Sequence, residues 1–127
     1  MIKIPVSTAK APAAIGTYSQ AIKVGNTCYL SGQIGLDPVG GQLVTGGFDA
    51  EVAQVFDNLA AVATACGGSL ADCVKMTIYL TDLGNFSKVN EAMARSCVEP
   101  FPARAAVGVA SLPRGAQVEA DAVLVIG

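Results

Sequence analysis

Gln117-Val118-Glu119-Ala120-Asp121-Ala122-Val123-Leu124-Val125-Ile126, residues 117–126, alternates in a way that decides the architecture. Val118, Ala120, Ala122, Leu124 and Ile126 fall on one face of an extended strand. Glu119, Asp121, Val123 and Val125 fall on the other, so the second face is partly apolar as well. The run at 104–110 repeats the theme, with Val107 and Val109 opposing Arg104, Ala106 and Gly108. Strands that are apolar on both sides need cover on both sides.

Working outward, the cover available within the chain is limited. Val52, Val55, Phe56, Leu59, Val62, Ala63 and Cys66 form one stripe of 3.6-residue period, with Asp49 as the expected N-cap and Gly67-Gly68 as the stop. A second helix spans roughly 84–97, with Phe86, Val89, Asn90, Met93 and Cys97 on its inner side, and Pro100 and Pro102 bar its continuation. Between the helices, Val74, Met76, Ile78 and Leu80 alternate with Lys75, Thr77, Tyr79 and Thr81 as a strand with one apolar face. Residues 21–24 and 27–32 flank Gly25-Asn26, a two-residue hairpin turn. The order is β-β-α-β-α-β-β, an α+β fold in one domain over residues 1–127. Two amphipathic helices cover only one face of a mixed sheet of five or six strands. The other face therefore calls for a second copy of the chain, and the pattern predicts a homo-oligomer.

Composition excludes whole classes of chemistry. The 127 residues contain no histidine. That removes the Ser-His-Asp triad, the Cys-His dyad, the H-E-x-x-H zinc site and the histidine signature of zinc deaminases. Cys28, Cys66, Cys73 and Cys97 make no C-x-x-C pair and read as small buried hydrophobes. No Walker loop or G-x-G-x-x-G occurs, so no nucleotide cofactor is implied. A net charge of −2 without Lys/Arg runs argues against a nucleic-acid partner. Neither a signal-peptide core nor a membrane-spanning stretch is present, so the expected location is cytoplasmic.

Catalysis must then rest on carboxylate, guanidinium, hydroxyl and backbone groups. Arg104, set by Pro102-Ala103 ahead of Ala105-Ala106-Val107, points into apolar surroundings, and Glu119 sits in an equally apolar strand. With 52% hydrophobic and 14% charged residues, few charges are available for such positions. Embedded charges are costly unless paired or used. One reading is a structural Arg–Glu bridge between neighbouring strands. The other is functional: the Arg fork suits a carboxylate, and a half-buried Glu suits proton transfer with water.

Seven fragments resemble one known family in order along essentially the whole chain. They are Ala11-Pro12-Ala13-Ala14-Ile15-Gly16-Thr17-Tyr18-Ser19-Gln20, Leu30-Ser31-Gly32-Gln33-Ile34, Val74-Lys75-Met76-Thr77, Asp82-Leu83, Phe86 with Val89-Asn90, Pro102-Ala103-Arg104, and Leu112-Pro113-Arg114-Gly115-Ala116-Gln117-Val118-Glu119. Together they resemble the Rid family, also called the YjgF family of reactive intermediate deaminases. The resemblance implies a chorismate-mutase-like fold and a homotrimer with three sites in the clefts between subunits. It also implies metal-free, cofactor-free hydrolysis of 2-imino acids such as 2-iminobutanoate and 2-iminopropanoate to 2-keto acids and ammonia.

By that resemblance Arg104 clamps the substrate carboxylate and Glu119 positions and deprotonates the attacking water. Tyr18, Ser31, Gly32, Asn90 and Ala106 match positions that line or shape the cleft. Tyr18 and Asn90 also fit plain packing or capping roles. The family usually carries Ser or Thr and then Cys after the Arg, where this chain has Ala105 and Ala106. Thr17 stands where Pro is usual, and Met93 and Cys97 replace aromatics. A hydroxyl and a thiol near the site are thus lost, which leaves open a non-catalytic regulator that binds keto or amino acids through Arg104. RNA cleavage or translation inhibition is also attached to this family, and the acidic balance argues against it here.

Overall fold

A computed structural model describes residues 2–127. Six strands form one sheet in the order β1-β2-β3-β6-β4-β5. The strands are β1 (Lys3–Val6), β2 (Ala21–Val24), β3 (Thr27–Gln33), β4 (Cys73–Leu80), β5 (Ala103–Gly108) and β6 (Val118–Val125). Helices α1 (Phe48–Ala65) and α2 (Phe86–Ser96) carry the chain from β3 to β4 and from β4 to β5. All neighbours run antiparallel except β4 and β5, whose parallel pairing needs the α2 crossover.

The two residues of the β2–β3 hairpin do what their chemistry suggests. Gly25 takes φ of 60° at the first turn position, where a type II′ turn places glycine. At the end of α1, the Gly68 amide donates to Ala63 O and the Gly67 amide to Thr64 O, with Gly67 at φ 97°. That pair of bonds is a Schellman close, and it satisfies carbonyls that the helix end would orphan.

The core lies between the sheet and the helices. Val52, Val55, Phe56, Leu59, Val62 and Ala63 of α1 and Val89, Ala92 and Met93 of α2 are buried. They close over Cys28 and Leu30 of β3, Met76, Ile78 and Leu80 of β4, and Val118, Ala120, Ala122 and Leu124 of β6. All four cysteines are free and buried, as small apolar fillers. Burial pushes the Cys66 thiol up to about 12 and the Cys73 thiol up to about 11, away from thiolate chemistry. Among the described residues no helix is long and apolar enough to cross a membrane.

Several expectations are corrected. The sheet has an N-terminal strand, β1, that the pattern missed: KIPV is almost wholly exposed and shows no alternation, and Pro5 fits an edge position. Asp49 is not the N-cap of α1. Gly47 holds that place, and Asp49 lies in the first turn, where its charge complements the helix dipole. Val74 is 46% exposed, because the β4–β6 register shifts between Cys73 and Lys75 and the bulge hands the inward place to Cys73. On α2, Phe86 and Asn90 are exposed and face Arg104, while Ala92 takes an inner place.

Candidate active site

Arg104 and Glu119 stand on opposite faces of the sheet. In the parallel β4–β5 pairing Arg104 lies beside Met76 and Ala106 beside Ile78, so both share the helix-covered face. Glu119 lies beside Tyr79, whose side of β4 is bare. Strand β4 intervenes, which separates the two by roughly 10 Å across the sheet from strand spacing alone. The proposed structural Arg–Glu bridge is therefore absent. Among the described residues the single ion pair joins Lys88 and Asp49 on the surface, at 3.7 Å.

Arg104 is exposed rather than embedded, since β5 is an edge strand and α2 only flanks it. Its guanidinium carbon lies 4.7 Å from the centre of the Phe86 ring, in reach of a cation–π contact. One N–H donates to Asn90 Oδ1, and the same nitrogen lies 3.6 Å from Met93 Sδ. Asn90, Met93, Ala94, Phe101, Pro102 and Arg104 line an open cavity of about 410 Å³. Its character is one fixed guanidinium above apolar walls, a setting for a small carboxylate with an aliphatic tail. Ala106 is half-buried on the same strand face and packs against the core.

A second cavity, of about 430 Å³, belongs to Glu119. Tyr18, Gly32, Ile15, Leu36 and Arg114 are among its walls. Burial, and then the nearby Asp121 charge, raise the Glu119 pKa above the usual carboxylate value. The Asp121 carboxylate in turn accepts the Tyr79 hydroxyl at 2.9 Å. Gly32 lies beneath Glu119 at the irregular stretch of β3 between Leu30 and Gln33. Any side chain there would collide with the Glu119 carboxylate, so the glycine makes room for it. Ser31 does otherwise than line the cavity: its hydroxyl donates to Ser19 O and so holds the segment that carries Tyr18.

Arg114 and Phe86 did not stand out in the sequence as site residues. Arg114 adopts φ of 63°, a left-handed conformation rare for a side chain of its size, and donates to Gly41 O at 3.0 Å. Its position after Pro113 and before Gly115 was the available signal. Among the described residues no three Cys, Asp or Glu side chains gather as metal ligands would.

The family model for endoribonuclease L-PSP matches residues 8–126. The chain belongs to this family, the Rid (YjgF) family. A curated relative from Mus musculus, named 2-iminobutanoate/2-iminopropanoate deaminase, is 48% identical over 127 residues, all of this chain and 94% of the mouse protein. The crystal structure of RidA from an Antarctic Psychrobacter superposes with a TM-score of 0.93 at 53% identity, covering 97% of this chain and 99% of that one. Escherichia coli TdcF, solved with bound serine, superposes with a TM-score of 0.89 at 31% identity over 98% of this chain and 99% of its own. This Rid-family fold is thus the setting of both cavities.

Proposed function

We propose that the protein hydrolyses 2-imino acids to 2-keto acids and ammonia, in sites assembled between copies of the chain in a homotrimer. What supports the reading is a guanidinium that lines one open cavity and a raised-pKa carboxylate that lines another, on opposite faces of one sheet, in a chain nearly half identical to named imine deaminases. One copy supplies Arg104, oriented by Asn90 and Phe86. The next supplies Glu119, with Gly32 beneath it and Tyr18 beside it. The bare sheet face gives the copies a reason to associate, since Tyr29, Val107 and Val125 stand exposed on it.

The chemistry is modest because an imine is already electrophilic. Arg104 binds the substrate carboxylate through its fork and orients the C=N carbon. Glu119 takes a proton from water as the water oxygen bonds to that carbon, and the C=N electron pair moves to nitrogen. Glu119 passes that proton to the nitrogen to give the carbinolamine, which then collapses. The hydroxyl proton travels through the Glu119 carboxylate to the nitrogen as C=O forms, the C–N bond breaks, and ammonia leaves carrying both water protons. No metal or organic cofactor takes part in this scheme, which runs in the cytoplasm.

The test couples a threonine or serine dehydratase to the protein and times keto-acid release while semicarbazide competes for the imine. Faster keto acid and less semicarbazone are expected. A second reading, a regulator that binds keto or amino acids without turnover, draws on Ala105 and Ala106, which lack the polar groups usual beside the Arg. It predicts no acceleration by the wild-type protein despite measurable keto-acid binding.

A further inference from the structure

Glu51 is a charged residue with no part in imine hydrolysis as proposed, yet only 4% of its surface is exposed. It lies in the first turn of α1, and no cation among the described residues pairs with it. Instead one carboxyl oxygen accepts the Gln117 backbone N–H at 2.9 Å and the other accepts Gln117 Nε2 at 2.7 Å. Burying a carboxyl group against neutral donors alone is a weak source of stability, and an apolar filler would often do better. Its geometry is specific, however. Gln117 directly precedes β6 and stands two residues before Glu119, and its carbonyl accepts Thr81 N–H. The left-handed pair Arg114 and Gly115 turns the chain just upstream.

Asn58, two helical turns further along α1, acts in parallel. It is fully buried and donates to Ile34 O at 3.3 Å and Leu36 O at 3.0 Å. Ile34 and Leu36 are walls of the Glu119 cavity, as is Arg114. Gly35 between them lies so close that a Cβ would stand 2.9 Å from Glu51 O. Two polar positions on one inner stripe of α1 therefore grip both loops that shape the Glu119 side of the cleft.

We infer that Glu51 is a positioning residue: through its double hydrogen bond to Gln117 it sets the start of β6 and thereby the aim of the Glu119 carboxylate. The inference rests on Glu119 serving as the base, and its test separates the two. In the full-length protein, Glu51→Ala is expected to lower kcat by about 10–100-fold with KM nearly unchanged, since a misplacement of about 1 Å costs on that order and Arg104 holds the substrate from another surface. Glu51→Gln keeps one acceptor for the Gln117 amide and is expected to recover most of that loss. Independently of activity, carboxyl NMR of Glu119 is expected to show its pKa moving toward the ordinary value in Glu51→Ala. A lowered melting temperature with wild-type kcat and an unmoved Glu119 titration would make Glu51 purely structural and overturn the inference. Should Glu51→Ala not fold, Gln117→Ala removes one of the two bonds, and the same changes in kcat and in the Glu119 titration are expected of it. If the wild type turns over no imine, the functional reading fails, and the Glu119 titration alone still decides the role of Glu51.

Discussion

The Arg104 guanidinium gives one N–H to Asn90 and a flat face to Phe86, which leaves the rest of its fork directed at the open cavity. Arg104→Ala is therefore expected to abolish imine hydrolysis while leaving circular dichroism and melting temperature close to wild type. Arg104→Lys is expected to recover little, because an ammonium offers a point charge in place of a two-pronged contact. Aggregation or dissociation of Arg104→Ala would instead give the side chain a structural role. Glu119 permits a sharper experiment. Glu119→Gln keeps the shape but accepts no proton, so turnover is expected to fall by about 10²–10⁴-fold. Keto-acid binding by calorimetry is expected to persist. The pH dependence follows from the raised pKa: a base acts in its deprotonated form, so with Glu119 as the proposed base the acidic limb of kcat/KM is expected above the ordinary value of 4.5. The same shift bears on stability. The folded chain holds this proton more tightly than the unfolded one, so the Glu119 contribution is full below its unfolded pKa and is lost as pH rises through the folded one. Glu119→Gln is thus expected to melt higher than wild type at neutral pH, with the gain vanishing in acid.

At the scale of elements, the long periodic segments were legible. The α1 stripe and the alternate positions of β6 are buried as the periods demand, since periods of 3.6 and 2 report which side chains share a face. What escaped was set by partners rather than by period. Strand β1 pairs only with β2 and buries almost nothing, so its residues carry no pattern. The β4 bulge moves Val74 outward because β6 pairs around it. In β3 the irregularity at Ser31-Gly32 serves the carboxylate above it. Gly32→Ala is expected to push the Glu119 side chain aside, since its flexible end is what yields. Turnover is expected to fall at least about tenfold by misplacement of the base, with the melting temperature nearly unchanged. A fully active Gly32→Ala would show that Glu119 need not lie over β3.

For the whole molecule, the bare face sets the expectation. Light scattering is expected to give an oligomer at micromolar protein, because the exposed Tyr29, Val107 and Val125 need cover, and the proposed homotrimer sets the expected mass at three copies. A stable monomer at that concentration would remove both the assembly and the site between subunits. Residue chemistry, by itself, determined the two helices, the apolar faces of β4 and β6, and the two charged groups worth a functional test. The helices and faces follow from local periodicity, and Glu119 from the cost of placing charge in an apolar strand; Arg104 lies exposed on an edge strand, so that cost does not single it out. Only the tertiary structure decided that β6 inserts between β3 and β4, which puts β4 between Arg104 and Glu119. Sheet order depends on long-range pairing that no local pattern encodes. The same pairing turned the two charges to opposite faces, so they cannot neutralise each other within one chain and each is left to face its own cavity.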